Sequence, residues 1–271
     1  MMPAVMRPLP APFLAIAACS LLLALPHAAA AQAAPASPAS AAVESPSAPS
    51  AAERAALQPF LARYEAWYRG KPAGTASLQL VRETAPRWRV DLGIEGRSGM
   101  LGILGLNVQQ STVFEDLPTG YRPLSQSTVR KGLFLGSRSV GSYDWTHATA
   151  QWRGDLKKRH QQPVALQPGD QSGLLINLAI IRDARPGAAL RYRFVEGGRV
   201  REHQYEVAAT PETVEVGEIA YSALRVARTN AGNDDTVVWV AEGVPTPIRI
   251  LQREDGQDAV DLRLIEYKGT P

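Results

Sequence analysis

Between Phe60 and Tyr267 the chain repeatedly changes polarity at every second residue, and this period is the strongest constraint on its fold. Trp88, Val90, Leu92 and Ile94 alternate with Arg87, Arg89, Asp91 and Glu95. Leu190, Tyr192 and Phe194 alternate with Arg191 and Arg193, and Val260, Leu262 and Leu264 with Asp261 and Arg263. Successive side chains of a strand point to opposite faces, so each run reads as a half-buried strand. Between them lie 61–68, 73–82, 108–115, 121–131, 139–145, 150–153, 200–208, 213–216, 220–229, 236–241 and 247–253, each bounded by Gly, Pro, Asn or Asp. Arg69-Gly70-Lys71-Pro72 and Glu196-Gly197-Gly198-Arg199 supply the positive-φ positions that tight hairpins need. Many short strands joined this way predict a mainly β fold: a curved antiparallel sheet, open barrel or sandwich-like.

Two segments break the period. Asp170-Gln171-Ser172-Gly173 opens a helix running to Arg182, which Pro186 prevents from continuing. Leu174, Leu178 and Ile181 form one stripe, but Leu175, Ile176 and Ile180 make the segment apolar nearly all round. Such a helix is buried, here against the concave face of the sheet. The second is Ser98–Leu106, a short glycine-rich apolar stretch that reads as a short helix or a mobile loop; each glycine weakens a helix by about 1 kcal/mol.

The first sixty residues have another character. A thirteen-residue apolar run, Phe13–Leu25, follows Arg7 and ends at Pro26, and Ala29-Ala30-Ala31 precedes Gln32. The run is shorter than the ~20 residues a bilayer span requires, and it reads as a secretory signal over residues 1–31. The expected address is therefore periplasmic. The alternative is a lipoprotein anchored through Cys19, since Ile16-Ala17-Ala18-Cys19 matches a lipobox, although apolar residues continue past the cysteine. Residues 32–59 read as a disordered Ala/Pro/Ser linker, with Ser50-Ala51-Ala52-Glu53 able to open a short helix or to remain tail. One domain is expected over 60–268. Cys19 is the single cysteine, so a chain cut after it has neither disulfide nor thiol nucleophile. Losing the leader removes only Arg7, leaving 28 Lys+Arg against 26 Asp+Glu. That balance argues against nucleic acid as a partner, which takes clustered positive charge.

Several features have the arrangement of a known group. They are Tyr64, Gly70 and Gly74 across the first turn, the alternating strand to Leu80, and Gly99-Met100-Leu101-Gly102 ahead of Phe114. Tyr121 with Pro123-Leu124, the Asp170/Ser172 helix start, and Trp239 before Pro247-Ile248-Arg249-Ile250 complete the set. Over about Phe60–Tyr267 the chain resembles the exported bacterial proteins of domain-of-unknown-function family 3108. The resemblance implies a β-rich envelope domain and carries no reaction with it. One departure stands out: the helix start is usually followed by aromatic-rich residues, and here the helix is aliphatic.

The chemistry-bearing motifs are weak. His147, His160 and His203 are not at ligand spacing, and a metal site needs three or four converging donors; they read as surface or strand residues. The acidic pairs Glu115-Asp116, Asp234-Asp235 and Glu254-Asp255 sit at expected turns. Neither a Gly-x-Ser-x-Gly elbow nor a Ser-x-x-Lys is present, and Gly96–Gly105 lacks a phosphate-loop signature. No enzyme activity, cofactor or metal is therefore expected, hydrolysis being the remote exception. Lys157-Lys158-Arg159-His160 is the one basic run, and it allows peripheral contact with anionic membrane surfaces.

A curved sheet with an apolar segment can enclose a concave ligand site. The expected function is non-catalytic binding of a lipid or other hydrophobic ligand in the cell envelope. The candidate lining is Trp88, Met100, Leu101, Ile103, Leu104 and Trp145, unless these only fill a dry core. The alternative is an envelope scaffold that binds a protein partner and no small ligand. The alanine run at the end of the leader also sets an expected mature N-terminus at Gln32. N-terminal sequencing of exported protein checks this, and a lipid-modified Cys19 would refute it.

Overall fold

The computed structural model describes residues 56–97, 107–132 and 136–269. The leader, most of the linker and the segment Ser98–Leu106 lie outside the described residues, and with them Met100, Leu101, Ile103 and Leu104.

The strands run β1 (Phe60–Tyr68), β2 (Lys71–Arg82), β3 (Arg87–Gly96), β4 (Asn107–Leu117), β5 (Gly120–Lys131), β6 (Ser137–Asp144), β7 (Thr149–Gly154) and β8 (Val164–Ala165). A helix follows, α1 (Gly173–Asp183). Then come β9 (Ala189–Glu196), β10 (Arg199–Val207), β11 (Glu212–Val216), β12 (Ile219–Arg228), β13 (Thr236–Ala241), β14 (Arg249–Glu254) and β15 (Gln257–Gly269). All belong to one sheet, in the order β8 to β1, then β15, β14, β13, β12, β10 and β9, with β11 on β12. The pairing of β1 with β15 joins the two ends of the domain. The mainly β, curled architecture expected from the period-two pattern is therefore present, with one helix.

The alternation is plain on β1, where Phe60, Ala62, Tyr64, Ala66 and Tyr68 are buried and the residues between them are not. Arg69 and Gly70 turn at φ 49° and 73°, and Gly197 and Gly198 at 58° and 68°. Glycine enters this left-handed region without a Cβ penalty.

The sheet curls but does not close strand to strand. Its end at β6 and β7 lies over one face of β9, where Tyr143, Ala150, Trp152 and Leu166 pack with Val195. The other face of β9 looks into the curl, where α1 contacts β3, β4, β5 and β9. The overlap is held by the tripeptide before the helix. Gln171 bridges Phe194 in parallel, donating its N–H to Arg193 O (2.9 Å) and accepting from Val195 N–H (2.9 Å). Its Nε2 reaches Tyr121 O on β5 (3.2 Å). Asp170, fully buried, pairs with Arg193 at 2.5 Å and accepts Gln167 N–H.

Three details differ from the sequence expectation. Ser172 stands at the helix N-cap, yet its hydroxyl makes no cap bond; it lies 3.1 Å from Thr112 Oγ1 on β4, which fastens the helix start to the sheet. Ile181 is half-buried rather than core, because α1 turns that side outward in its last turn. The segment expected as 247–253 becomes a strand only at Arg249, since Pro247 has no N–H to give and its carbonyl accepts from Tyr64 Oη (2.9 Å).

Leu174, Leu175, Ile176, Leu178, Ala179 and Ile180 are buried, so the helix is a plug rather than a surface element. Leu178→Ala should cost about 2–5 kcal/mol. Denaturant unfolding measures this, and an unchanged midpoint would remove α1 from the core.

Candidate functional site

Facing strands carry rows of residues that point into the curl, and the rows change character across it. On β3 the inward residues are Trp88, Val90, Leu92 and Ile94. Opposite them on β4 stand Phe114, Thr112, Gln110 and Val108. On β5 the same levels hold Pro123, Gln126, Thr128 and Arg130. The wall thus passes from apolar to polar over three strands. Gln110, Thr112, Gln126 and Thr128 are all buried, where polar groups need partners to offset lost hydration.

At the seam one of these groups, Gln126, meets Glu196, the last residue of β9. Gln126 Nε2 donates to Glu196 Oε1. Gln126 Oε1 in turn accepts from Trp152 Nε1 (3.3 Å) and lies 3.3 Å from Tyr143 Oη, which donates to Val195 O at 2.7 Å. Gly141 makes this possible, because Gln126, Gly141 and Trp152 occupy one register row. A Cβ on Gly141 would stand 2.2 Å from the indole nitrogen. Gly173 has a related part: its Cβ would lie 2.6 Å from Glu196 Oε2, so a side chain there would displace the carboxyl group from the helix start.

Glu196 Oε2 is shut off from solvent and has no hydrogen-bond partner, although the stem of the residue retains some surface. Burial pushes its pKa up to about 7, against the opposing effects of Gln126, the Gly173 N–H, Arg130 and Arg201. His203 on β10 is 8% exposed and stacks on Phe194 at 4.8 Å. Burial, then Arg228 and Arg201, lower its pKa to about 4. Its Nδ1 lies 3.3 Å from Tyr205 Oη, and Nε2 has no partner. Arg130 Nε is also buried without a partner. Arg130 Nε, Glu196 Oε2 and His203 Nε2 thus lie on three different strands as buried polar atoms without a hydrogen-bond partner.

Of the residues singled out in the sequence, Trp88 is buried on the inward face of β3, opposite Phe114, with the Arg82 guanidinium 5.7 Å from its ring. Trp145 is not on a strand: it follows β6 in a turn and donates to Pro123 O at 2.7 Å while packing on the Tyr143–Trp152 cluster. The two tryptophans are held by different partners, Trp88 opposite Phe114 and Trp145 on the Pro123 carbonyl. His203, expected as a surface or strand residue, is a buried strand residue. His147 stays in an exposed turn with Asp144 (2.7 Å). Among the described residues no group of three or more His, Cys, Asp or Glu could hold a metal ion, and no helix is long and apolar enough to cross a membrane. Lys157, Lys158 and Arg159 are exposed around a short 3-10 turn. A recess of about 750 Å³ between the β1–β2 and β14–β15 turns is lined by turn backbone and charged side chains. Arg253 there already pairs with Asp258 (2.9 Å).

Glu196 and Gln126 escaped the sequence reading because one sits beside a Gly-Gly turn and the other is an unremarked amide. The available signal was polar residues at inward positions of β4 and β5. The profile of the family described as "Protein of unknown function (DUF3108)" matches residues 63–263. The chain belongs to this family. No curated protein matches it. Among solved structures, it is similar to a β-barrel-like protein of domain of unknown function DUF1849 from Brucella abortus, at 11% identity and a TM-score of 0.46, covering 79% of this chain and 98% of that one.

The two shifted groups act on stability in opposite senses. Glu196 has a raised folded pKa, so its contribution is complete below about pH 4.5 and is lost as pH rises through 7. His203 has a depressed one, so its contribution is present above about pH 6.5 and is lost as pH falls through 4. Each amounts to about 3 kcal/mol. Between pH 4.5 and 6.5 they offset each other. Glu196→Gln should therefore lose stability on acidification across this window relative to wild type, and His203→Phe should gain it. Denaturant titrations at a series of pH values test this; identical slopes in all three proteins would refute it.

Proposed function

We infer that this DUF3108 domain is a non-catalytic binding module of the bacterial cell envelope that takes a lipid or similar hydrophobic ligand into the curl of its sheet. The observation that carries this reading is the graded interior wall, apolar on β3, mixed on β4 and mostly polar on β5, with partnerless polar atoms on Arg130, Glu196 and His203. Buried polar atoms without partners are costly in a finished core, and a bound molecule or water would satisfy them. The signal-like leader supports export to the periplasm, and the exposed Lys157–Arg159 turn supports approach to an anionic surface.

A scaffold that pairs edge to edge with a partner is the second reading, and the edges favour it less. β8 has two residues, and β9 is already bridged by Gln171. β11 has five residues, and it carries Glu212 and Glu215, charges that discourage strand addition.

Native mass spectrometry of the protein taken from the periplasm should show a co-purifying lipid, and a fluorescent fatty acid should titrate the purified chain. Met100→Asp and Leu104→Asp should weaken that binding more than they lower the melting temperature. A wild-type chain that binds no lipid overturns the proposal.

A further inference from the structure

The basic run Lys157–His160 is held in place by its neighbours. Gln161 brackets it: its Nε2 donates to Leu156 O (2.9 Å), and its carbonyl accepts from Gln151 Nε2 on β7 (3.0 Å). Within the turn, His160 N–H donates to Lys157 O (2.8 Å) and Gln161 N–H to Lys158 O (3.1 Å). The turn is seated on the tip of the β9–β10 hairpin, where Gly198 has φ 68° and a Cβ would stand 1.9 Å from His160 O. That contact brings in a cation from 39 residues further along the chain. Arg199 approaches His160 Nε2 through Nε (3.2 Å) and Nη2 (3.1 Å), and Arg159 Nε lies 3.2 Å from the same nitrogen. Lost hydration, then Arg199, Arg159 and Lys157, hold the His160 pKa below the usual histidine value, against a hydrogen bond with the Gly198 backbone. The imidazole is therefore neutral at pH 7, and its Nε2 is the acceptor.

Two guanidinium groups thus share one neutral nitrogen, which orients them and cancels neither charge. Among the described residues neither is in an ion pair. Glu196 stands opposite Arg199 in the hairpin register, but its carboxyl group is turned to Gln126. Lys157 and Lys158 beside them are exposed. Each guanidinium keeps N–H groups beyond those on His160, and such forks match the oxygens of a phosphate. Val200, the residue after Arg199, is 40% exposed, so an apolar side chain adjoins the cations. We propose that the basic turn and the hairpin tip form one docking surface for an anionic bilayer, where Arg159 and Arg199 grip a lipid phosphate and His160 is the positioning residue. A bilayer fits this tip because it offers many phosphates over an apolar layer, which matches four exposed or half-buried cations beside an exposed valine. The surface deepens the approach to an anionic surface read above and rests on the envelope address given there, not on the ligand in the curl.

Co-sedimentation of the protein taken from the periplasm with extruded vesicles tests the surface. Phosphatidylcholine vesicles with about 30 mol% phosphatidylglycerol should bind it at least about tenfold more tightly than phosphatidylcholine alone. Arg199→Gln should weaken that binding by about fivefold, and Lys71→Gln, which removes the same charge from the exposed start of β2, by less than about twofold. His160→Leu removes the shared acceptor and, near neutral pH, no charge; it should weaken binding by about threefold. Should that variant lower the melting temperature, Arg159→Gln takes its place, and it should match Arg199→Gln. Equal losses in Lys71→Gln and Arg199→Gln, or full binding by a folded His160→Leu, mean diffuse charge and overturn the gathered site. Equal binding to both vesicles, or calorimetric binding of inorganic phosphate by a chain that ignores the vesicles, overturns the docking surface. A chain that docks on the vesicles yet takes up no fluorescent fatty acid keeps this surface and loses only the ligand in the curl.

Discussion

The curl depends on three residues that belong to no strand. Asp170, Gln171 and Ser172 lie where the two ends of a long sheet meet, and each fastens a different part: Asp170 to Arg193, Gln171 to the edge of β9 and to Tyr121, Ser172 to Thr112. A sheet edge exposes unpaired N–H and C=O groups, and Gln171 satisfies those of Arg193 and Val195 with its own backbone. The buried Asp170–Arg193 pair is costly to break, because a lone buried charge is left behind. With the tripeptide in place, β6 and β7 can lie over one face of β9 and α1 can fill the other side. The helix is thus positioned by a seam rather than by its own cap.

The seam also explains the electrostatics. β9 is covered on both faces, so its last residue carries a carboxyl group into a region that water does not reach. Burial, rather than a neighbouring negative charge, is what raises Glu196, and the same effect lowers His203. Opposite pKa displacements of an acid and a base in one interior keep both groups close to neutral near pH 6. The arginines nearby then remain the dominant charges.

Much of the fold was legible because a half-buried strand writes its geometry into every second residue. The runs at Trp88–Ile94 and Leu190–Phe194 are strands, and Arg69-Gly70 and Gly197-Gly198 turn where their chemistry said. The helix was legible from its aliphatic run and from Pro186. β8 was not: two residues, Val164 and Ala165, are too few to show a period. Ser172 was correctly placed at the helix start, but its hydroxyl bonds to Thr112, sixty residues away, and no local pattern encodes that choice. The candidate site was less legible still. Trp88 faces inward as its strand phase requires, whereas Trp145 stands in a turn and donates to the Pro123 carbonyl, a placement that only the fold shows.

What the sequence determined by itself is local: the strand period, the positive-φ turns, the apolar helix, and the family to which such a pattern belongs. These follow from backbone geometry and from the side chains of a few neighbouring residues. Only the tertiary structure decided that the sheet overlaps itself, that Gly141 is vacant of a side chain so that Trp152 can reach Gln126, and that Glu196 ends among arginines beneath the helix start. A glutamate beside two glycines reads as a solvated turn residue. It becomes a buried acid because strands from opposite ends of one sheet are stacked there, and the cost of removing a charge from water depends on that stacking alone.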